Sequence, residues 1–282
     1  PEKMTGVSRV FDDLKSIFAL DVGACAAEKE ACHALTVMLS HAEDRETHQT
    51  AVADAGAIPA LVRIMNRPPP PASSGLSSDA RRSAEAWAAA SHDLARRAAD
   101  ALAKLVQDRD AYNAKVRDED GVSTLRALLD RRDPKVQRAA AAALLAMGEH
   151  ERLVKEIARH TETLVARPDA DRARDALKAA VRTLAELAKE GANATAEGDM
   201  VDAVVRSGAV EAIVPLLSLS QRVGEEFDVS FGDIEKEASY AISLMASRDV
   251  NQNRIAKAGA LPGLVALPVS YTHLTLPTIL LV

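Results

Sequence analysis

The sequence is poor in aromatic residues, which make up only 3% of its 282 positions. Its hydrophobic fraction is nevertheless 48%, so most of its apolar side chains are aliphatic, with Ala and Leu prominent among them. Ala and Leu favour helices, whereas β-branched and aromatic residues favour strands. The composition therefore predicts an all-α protein whose helices pack closely through small side chains.

Cysteine, excess positive charge and long apolar runs are also scarce. Cys25 and Cys32 are too few for the disulfide framework of a small secreted domain, which indicates an intracellular location, in the cytoplasm or alternatively the nucleus. The formal net charge of −6 provides no general attraction for nucleic acid. No apolar run approaches the roughly 20 residues that span a bilayer, and no signal peptide precedes the first predicted helix.

Residue patterns that would support catalysis are missing as well. The seven histidines stand at no spacing from Cys or carboxylates that is typical of metal ligands. The glycine-containing segment 190–199 follows no predicted strand, so it does not indicate a phosphate-binding loop. Ser, His and Asp occur in no recognisable catalytic motif. We therefore expect no enzyme activity, no metal site and no cofactor.

Four segments of the chain share one pattern, in which an apolar residue stands four positions before Gly or Asp and another follows two positions after it. The four segments are 52–62, 116–125, 204–214 and 255–265. The Gly or Asp positions are Gly56, Asp120, Gly208 and Gly259. Because these residue types tolerate the left-handed conformation, the pattern predicts that a short helix ends there. Pro59 and Pro262 then stand in the first turn of a second helix, where proline is tolerated.

A longer, Ala-rich helical stretch follows each segment. These stretches are 96–107, 134–147, 172–189 and 233–247, and 26–40 is the corresponding stretch of an earlier unit. A weaker copy of the pattern predicts a further break near Arg159. The chain thus reads as a repeat of about 40 residues with insertions, each unit containing a short helix, a second helix and a long third helix.

We expect residues 1–267 to form a single domain of about five such repeats and a truncated one, with loop insertions near 66–80 and 220–232. Residues 268–282 differ sharply in composition, with Thr, Pro and apolar residues and no charge. They are either a natural extended end or foreign sequence joined to a truncated repeat. We predict that this tail packs poorly, because terminal repeats normally carry polar caps.

The strings ADAGAIPALV, RSGAVEAIVPLL and AKAGALPGLV resemble the armadillo repeat, and the resemblance extends over roughly residues 10–267. It implies a right-handed α-solenoid of three-helix repeats, whose third helices line a concave groove that binds extended peptides or partner proteins. HEAT-like repeats, with two helices per unit, are the alternative.

Importin-like members of that family carry Trp and Asn in the groove. The positions that match in this sequence are His33, Val37, Asp100, Lys104, Ala142, Ala146, Arg182, Glu186, Tyr240 and Leu244. None is Trp or Asn, so no regularly spaced amides would hold an extended backbone, and nuclear-signal recognition is not expected. The substitutes predict a groove of mixed charge with an apolar end at Tyr240 and Leu244, suited to a partner with its own charge pattern.

The predicted function is therefore that of a non-catalytic scaffold for protein–protein interaction, binding a partner protein or peptide along the third helices. The alternative is that the chain recruits substrates or partners as a segment of a larger enzyme, such as a ubiquitin ligase or a kinase.

Overall fold

A computed structural model describes residues 25–40, 44–67, 78–192, 199–224 and 229–267. Within these ranges every regular element is helical, so the predicted all-α class is confirmed. The chain divides into two compact units, and the boundary lies between Met147 and Gly148. In the part of the chain that the structure describes, no helix is both long and apolar enough to cross a membrane.

In its described residues, unit 1 contains two helical trios and the third helix of an earlier repeat. Its helices are α1 (Cys25–Ser40), α2 (Arg45–Asp54), α3 (Ala57–Met65), α4 (Ser78–Val106), α5 (Asp110–Asp118), α6 (Gly121–Leu129) and α7 (Pro134–Ala146). The trios are α2–α4 and α5–α7. The third helices lie side by side, with α4 packed against both α1 and α7. This stacking of successive trios is that of an α-solenoid.

The junction between the first and second helix of each trio has the predicted left-handed residue. Gly56 separates α2 from α3 with φ of 81°, and Asp120 separates α5 from α6 with φ of 58°. The next residue, Gly121, must also lack a side chain, because an added Cβ would lie 2.5 Å from Cγ1 of Val116. The predicted start of α7 is confirmed too, since the Asp133 side chain accepts a hydrogen bond from the Lys135 backbone N–H at 2.9 Å.

The core of unit 1 is built from the inward faces of the third helices. Ala98, Leu102 and Leu105 of α4 and Ala140 and Leu144 of α7 are completely buried. Alanine at alternate core positions lets neighbouring helix backbones come close, while each buried leucine contributes about 1.5 to 3 kcal/mol of hydrophobic stabilisation. The opposite faces of these helices are left to solvent.

Unit 2 is less regular. Its elements are α8 (Glu149–Ala166), α9 (Asp171–Ala192), α10 (Asp199–Arg206), α11 (Ala209–Ile213), a 3₁₀ helix (Val214–Ser218), α12 (Leu219–Val223), α13 (Val229–Ala246), α14 (Asp249–Lys257) and α15 (260–267). Gly208 and Gly259 adopt positive φ at the predicted junctions. Helices α9 and α13, which correspond to the third helices of unit 1 and are called third helices below, pack against each other.

The predicted break near Arg159 is wrong. Helix α8 runs without interruption through that residue, because Leu153, Ile157 and Leu164 continue one buried helical face and no residue there favours a left-handed turn. The break is at Gly148 instead, with φ of 69° directly before α8. The repeat at this point has two helices, α8 and α9, as in the HEAT-like alternative.

Two predicted features fall partly or wholly beyond what the structure describes. The insertion near 220–232 contains helix at both ends, because α12 ends at Val223 and α13 begins at Val229. Most of the insertion near 66–80 lies outside the described residues, and so does the tail 268–282.

Candidate binding faces of the third helices

All ten groove positions predicted from the sequence lie on third helices, and none of them is buried. Val37 of α1 is 45% exposed and Tyr240 of α13 is 41% exposed, whereas Leu35 and Ala241 on the same helices are buried. The four-residue spacing within each predicted pair keeps both members on one side of the helix. The structure thus brings His33 and Val37, Asp100 and Lys104, and Ala142 and Ala146 to the solvent faces of α1, α4 and α7 in unit 1.

An ion-pair network crosses from α1 to α4 on this face of unit 1. The Asp93 carboxylate lies 2.6 Å from Lys29 Nζ, 2.7 Å from Arg96 Nη2 and 3.4 Å from Arg97 Nε. Arg96 also reaches Asp100, with Nη1 2.9 Å from Oδ2. Of the residues in this network, only Asp100 was predicted from the sequence. The ion pairs within α4 could have been predicted from the three- and four-residue spacing of opposite charges along that helix. The pair between Asp93 and Lys29 could not, because it depends on tertiary structure.

The network shifts the pKa values of its two carboxylates in opposite directions. Partial burial disfavours the charge on Asp93, but hydrogen bonds from Lys29 and Arg96 and the charge of Arg97 outweigh it and hold the pKa well below its ordinary value. Burial raises the pKa of Asp100 despite the charges of Arg96 and Arg97. Asp93 therefore stays ionised and neutralised by its neighbours in neutral solution.

Helix α7 forms the rest of the third-helix face of unit 1, and its surface differs from the ion-pair network of α1 and α4. Lys135 and Arg138 are exposed, and no ion pair involves either of them among the described residues. One and two turns further along, Ala142 and Ala146 are half-buried and small. A partner can therefore approach the backbone of α7 closely while two cations remain available beside it.

The third-helix face of unit 2 is balanced in charge and partly apolar. Lys178 of α9 pairs with Asp233 of α13, and Glu186 pairs with Lys189 at 2.8 Å. Arg182 is exposed on α9. On α13, at the predicted apolar end, Tyr240 is exposed and Leu244 is half-buried.

Two kinds of reactive group can be examined in the described residues, namely metal ligands and a cysteine thiol. No group of three or more His, Cys, Asp or Glu side chains in them is arranged to hold a metal ion. The Cys32 thiol is completely buried, and burial together with the charge of Glu28 raises its pKa to about 12. At neutral pH this thiol is protonated, and only the thiolate is strongly nucleophilic.

Neither family models nor curated proteins match this chain. Solved structures do show distant similarity. An engineered protein is 24% identical with a TM-score of 0.38, covering 90% of this chain and 88% of its own. A designed armadillo repeat protein is 19% identical with a TM-score of 0.37, covering 89% of each chain. Another designed armadillo repeat protein, in complex with the peptide (KR)4, is 20% identical with a TM-score of 0.33, covering 83% and 82%.

The class of the protein follows from its own geometry. Trios of helices separated at left-handed Gly or Asp residues, with long third helices packed side by side, define a helical-repeat protein of the α-solenoid class.

Proposed function

We propose that this chain belongs to the armadillo family and acts as a non-catalytic scaffold, which binds a partner protein or peptide on the exposed faces of its third helices. The observation that supports this most directly is the sharp division of each third helix into two sides. On α13, Ala238, Ala241 and Met245 are completely buried, while Tyr240 between them is 41% exposed.

This division matters energetically because the buried side immobilises the exposed one. Binding costs conformational entropy when side chains and backbone must be ordered, and a helix already held by its core pays little of that cost. Tyr240 is also the residue type most suited to anchor a partner, because Tyr is enriched among interface residues that dominate binding energy. Leu244, one turn further along, extends the same apolar surface.

A binding experiment with matched variants tests the proposal. Partners are captured with the full chain, identified, purified and titrated against wild type and against a Tyr240→Ala and Leu244→Ala double variant. We expect the double variant to bind at least about tenfold more weakly, as for the loss of a central anchor. Circular dichroism checks that both proteins remain helical.

The control is Val165→Ala, which removes a 40% exposed apolar side chain from α8, a helix of the same unit that carries none of the predicted groove positions. It should bind like wild type. Equal affinity of the double variant and wild type would show that the partner binds elsewhere.

A further inference from the structure

The third-helix face of unit 1 carries an excess of positive charge in a chain whose overall formal charge is −6. We call it the basic face. Among the residues whose side chains the structure describes, its cations are Lys29, Arg96, Arg97, Lys104, Lys135 and Arg138, and its carboxylates are Glu30, Asp93 and Asp100. Helical spacing places most of them on the side of α1, α4 or α7 that is opposite the buried core, and Lys29 lies at the border of that side on α1. The local charge therefore has the opposite sign to the average of the molecule.

Two of the three carboxylates are already used within the protein. Asp93 is contacted by three cationic side chains, and Asp100 is hydrogen-bonded by Arg96. A cationic partner would have to compete with these short contacts, which are preorganised by packing of α1 against α4. The carboxylates thus neutralise part of the face and orient Arg96, but they offer little to an incoming cation.

The cations of α7 are in the opposite situation. Lys135 and Arg138 project from an exposed surface next to the small side chains Ala142 and Ala146, with no carboxylate paired to them among the described residues. Arginine is well suited to such a position, because its planar guanidinium can donate two parallel hydrogen bonds to one carboxylate. Lys104 of α4 adds a further half-exposed cation to the same face.

We infer, on the basis of the proposed function, that the basic face of unit 1 binds an acidic protein segment, whose Asp and Glu side chains pair with Arg138, Lys135 and Lys104. A protein segment fits better than nucleic acid for two reasons. Few cations of the face lack a carboxylate partner among the described residues, whereas nucleic-acid binding draws on contacts to many phosphates, and Asp93 and Asp100 would lie beside the continuous phosphates of a strand.

Fluorescence anisotropy with labelled probes tests this inference on the full chain. The probes are an octapeptide of alternating Asp and Glu, an octapeptide of alternating Lys and Arg, and a single-stranded oligonucleotide of equal charge to the acidic peptide. We expect the acidic peptide to bind at least about tenfold more tightly than the basic one, and its affinity to fall as salt is raised, because exposed charges are screened.

Two charge-reversal variants locate the interaction. Lys135→Glu with Arg138→Glu should weaken acidic-peptide binding about tenfold or more. Arg63→Glu with Lys115→Glu makes the same change in net charge within unit 1, on exposed positions of α3 and α5, and should have little effect. A similar loss in both double variants would indicate only a general charge effect and would overturn the inference.

Tighter binding of the basic peptide or of the oligonucleotide, or no preference for the acidic peptide, would also overturn it. Such a result leaves the scaffold proposal intact, because that proposal is tested with an identified partner and with Tyr240 and Leu244 of unit 2.

Discussion

The first and last of the four repeated segments, 52–62 and 255–265, have similar sequences, but the apolar residues of their second helices differ in solvent exposure. In the first copy, which forms α3, Ile58 is 1% exposed and Val62 is 6% exposed. In the last copy, which forms α15, the corresponding Leu261 is 58% exposed and Val265 is 72% exposed. Both copies nevertheless follow a glycine with positive φ, Gly56 in one and Gly259 in the other. The junction is thus a local property, whereas burial is not.

The difference arises from the helices that surround each copy. Helix α3 is packed against its own third helix, α4, and against the next second helix, α6. A methyl group added at Gly121 of α6 would lie only 3.0 Å from Cγ2 of Val62. Helix α15 is tightly covered on the side of the preceding repeat, where a Cβ at Gly263 would lie 2.7 Å from Cβ of Leu217. In a solenoid each repeat is stabilised by its neighbours, so a copy covered on one side keeps an apolar surface.

The largest difference in the free energy of unfolding is expected between the variants Ile58→Asp and Leu261→Asp. The first change places a carboxylate in a closed apolar site and should lower the free energy of unfolding by about 3 to 5 kcal/mol. The second places it on an exposed surface, where substitutions usually change stability by no more than about 0.5 kcal/mol. Urea unfolding followed by circular dichroism at 222 nm measures both. A large loss for Leu261→Asp would mean that another part of the chain covers this face.

A smaller effect is expected from Gly263→Ala, which tests the covered side of α15. Alanine in place of a helical glycine would ordinarily stabilise a helix. Here the new methyl group would collide with Leu217 Cβ, which cannot move without its backbone, so we expect a net loss of about 1 to 3 kcal/mol. Val265→Ala on the open side is the control and should be nearly neutral. Stabilisation by Gly263→Ala in the same unfolding assay would show that α15 is loosely packed.

The smallest difference in stability is expected between substitutions of Gln49 and Gln252, which stand seven positions before Gly56 and Gly259. Gln49 is buried, and its Nε2 donates to the Lys104 and Gln107 carbonyl oxygens at 3.0 and 2.9 Å. Gln252 is exposed and donates to the Ala246 carbonyl at 3.2 Å. Gln49→Ala should therefore cost about 1 to 2 kcal/mol, because it leaves buried acceptors unpaired, and Gln252→Ala under about 0.5 kcal/mol. Equal thermal shifts for the two variants would contradict this account of the first copy.

Much of the repeat could be predicted because its signals are short in sequence. The left-handed junctions at Gly56, Asp120, Gly208 and Gly259 depend on one residue type and its two apolar neighbours. The junction at Gly148 was missed although an apolar residue, Leu144, stands four positions before it. His150 occupies the place where the other copies have Ile, Val or Leu, so the pattern was incomplete on one side.

The candidate binding faces were predicted in part. The resemblance to the armadillo repeat indicated Tyr240 and Leu244 as groove positions, and their four-residue spacing places both on one side of α13. The excess of available positive charge on the basic face of unit 1 could not be predicted from the sequence, because it depends on which carboxylates are already paired. Lys29 and Asp93 lie 64 positions apart in the chain, and only the packing of α1 against α4 brings them together.

The sequence by itself determined the helix ends at Gly56, Asp120, Gly208 and Gly259 and which residues share a helical face, since these depend on backbone conformation and on a period of 3.6 residues. Tertiary structure alone decided which of those faces are covered and which charges remain available. The physical reason is that burial and ion pairing are properties of two surfaces in contact, and the partner surface lies a whole repeat away along the chain.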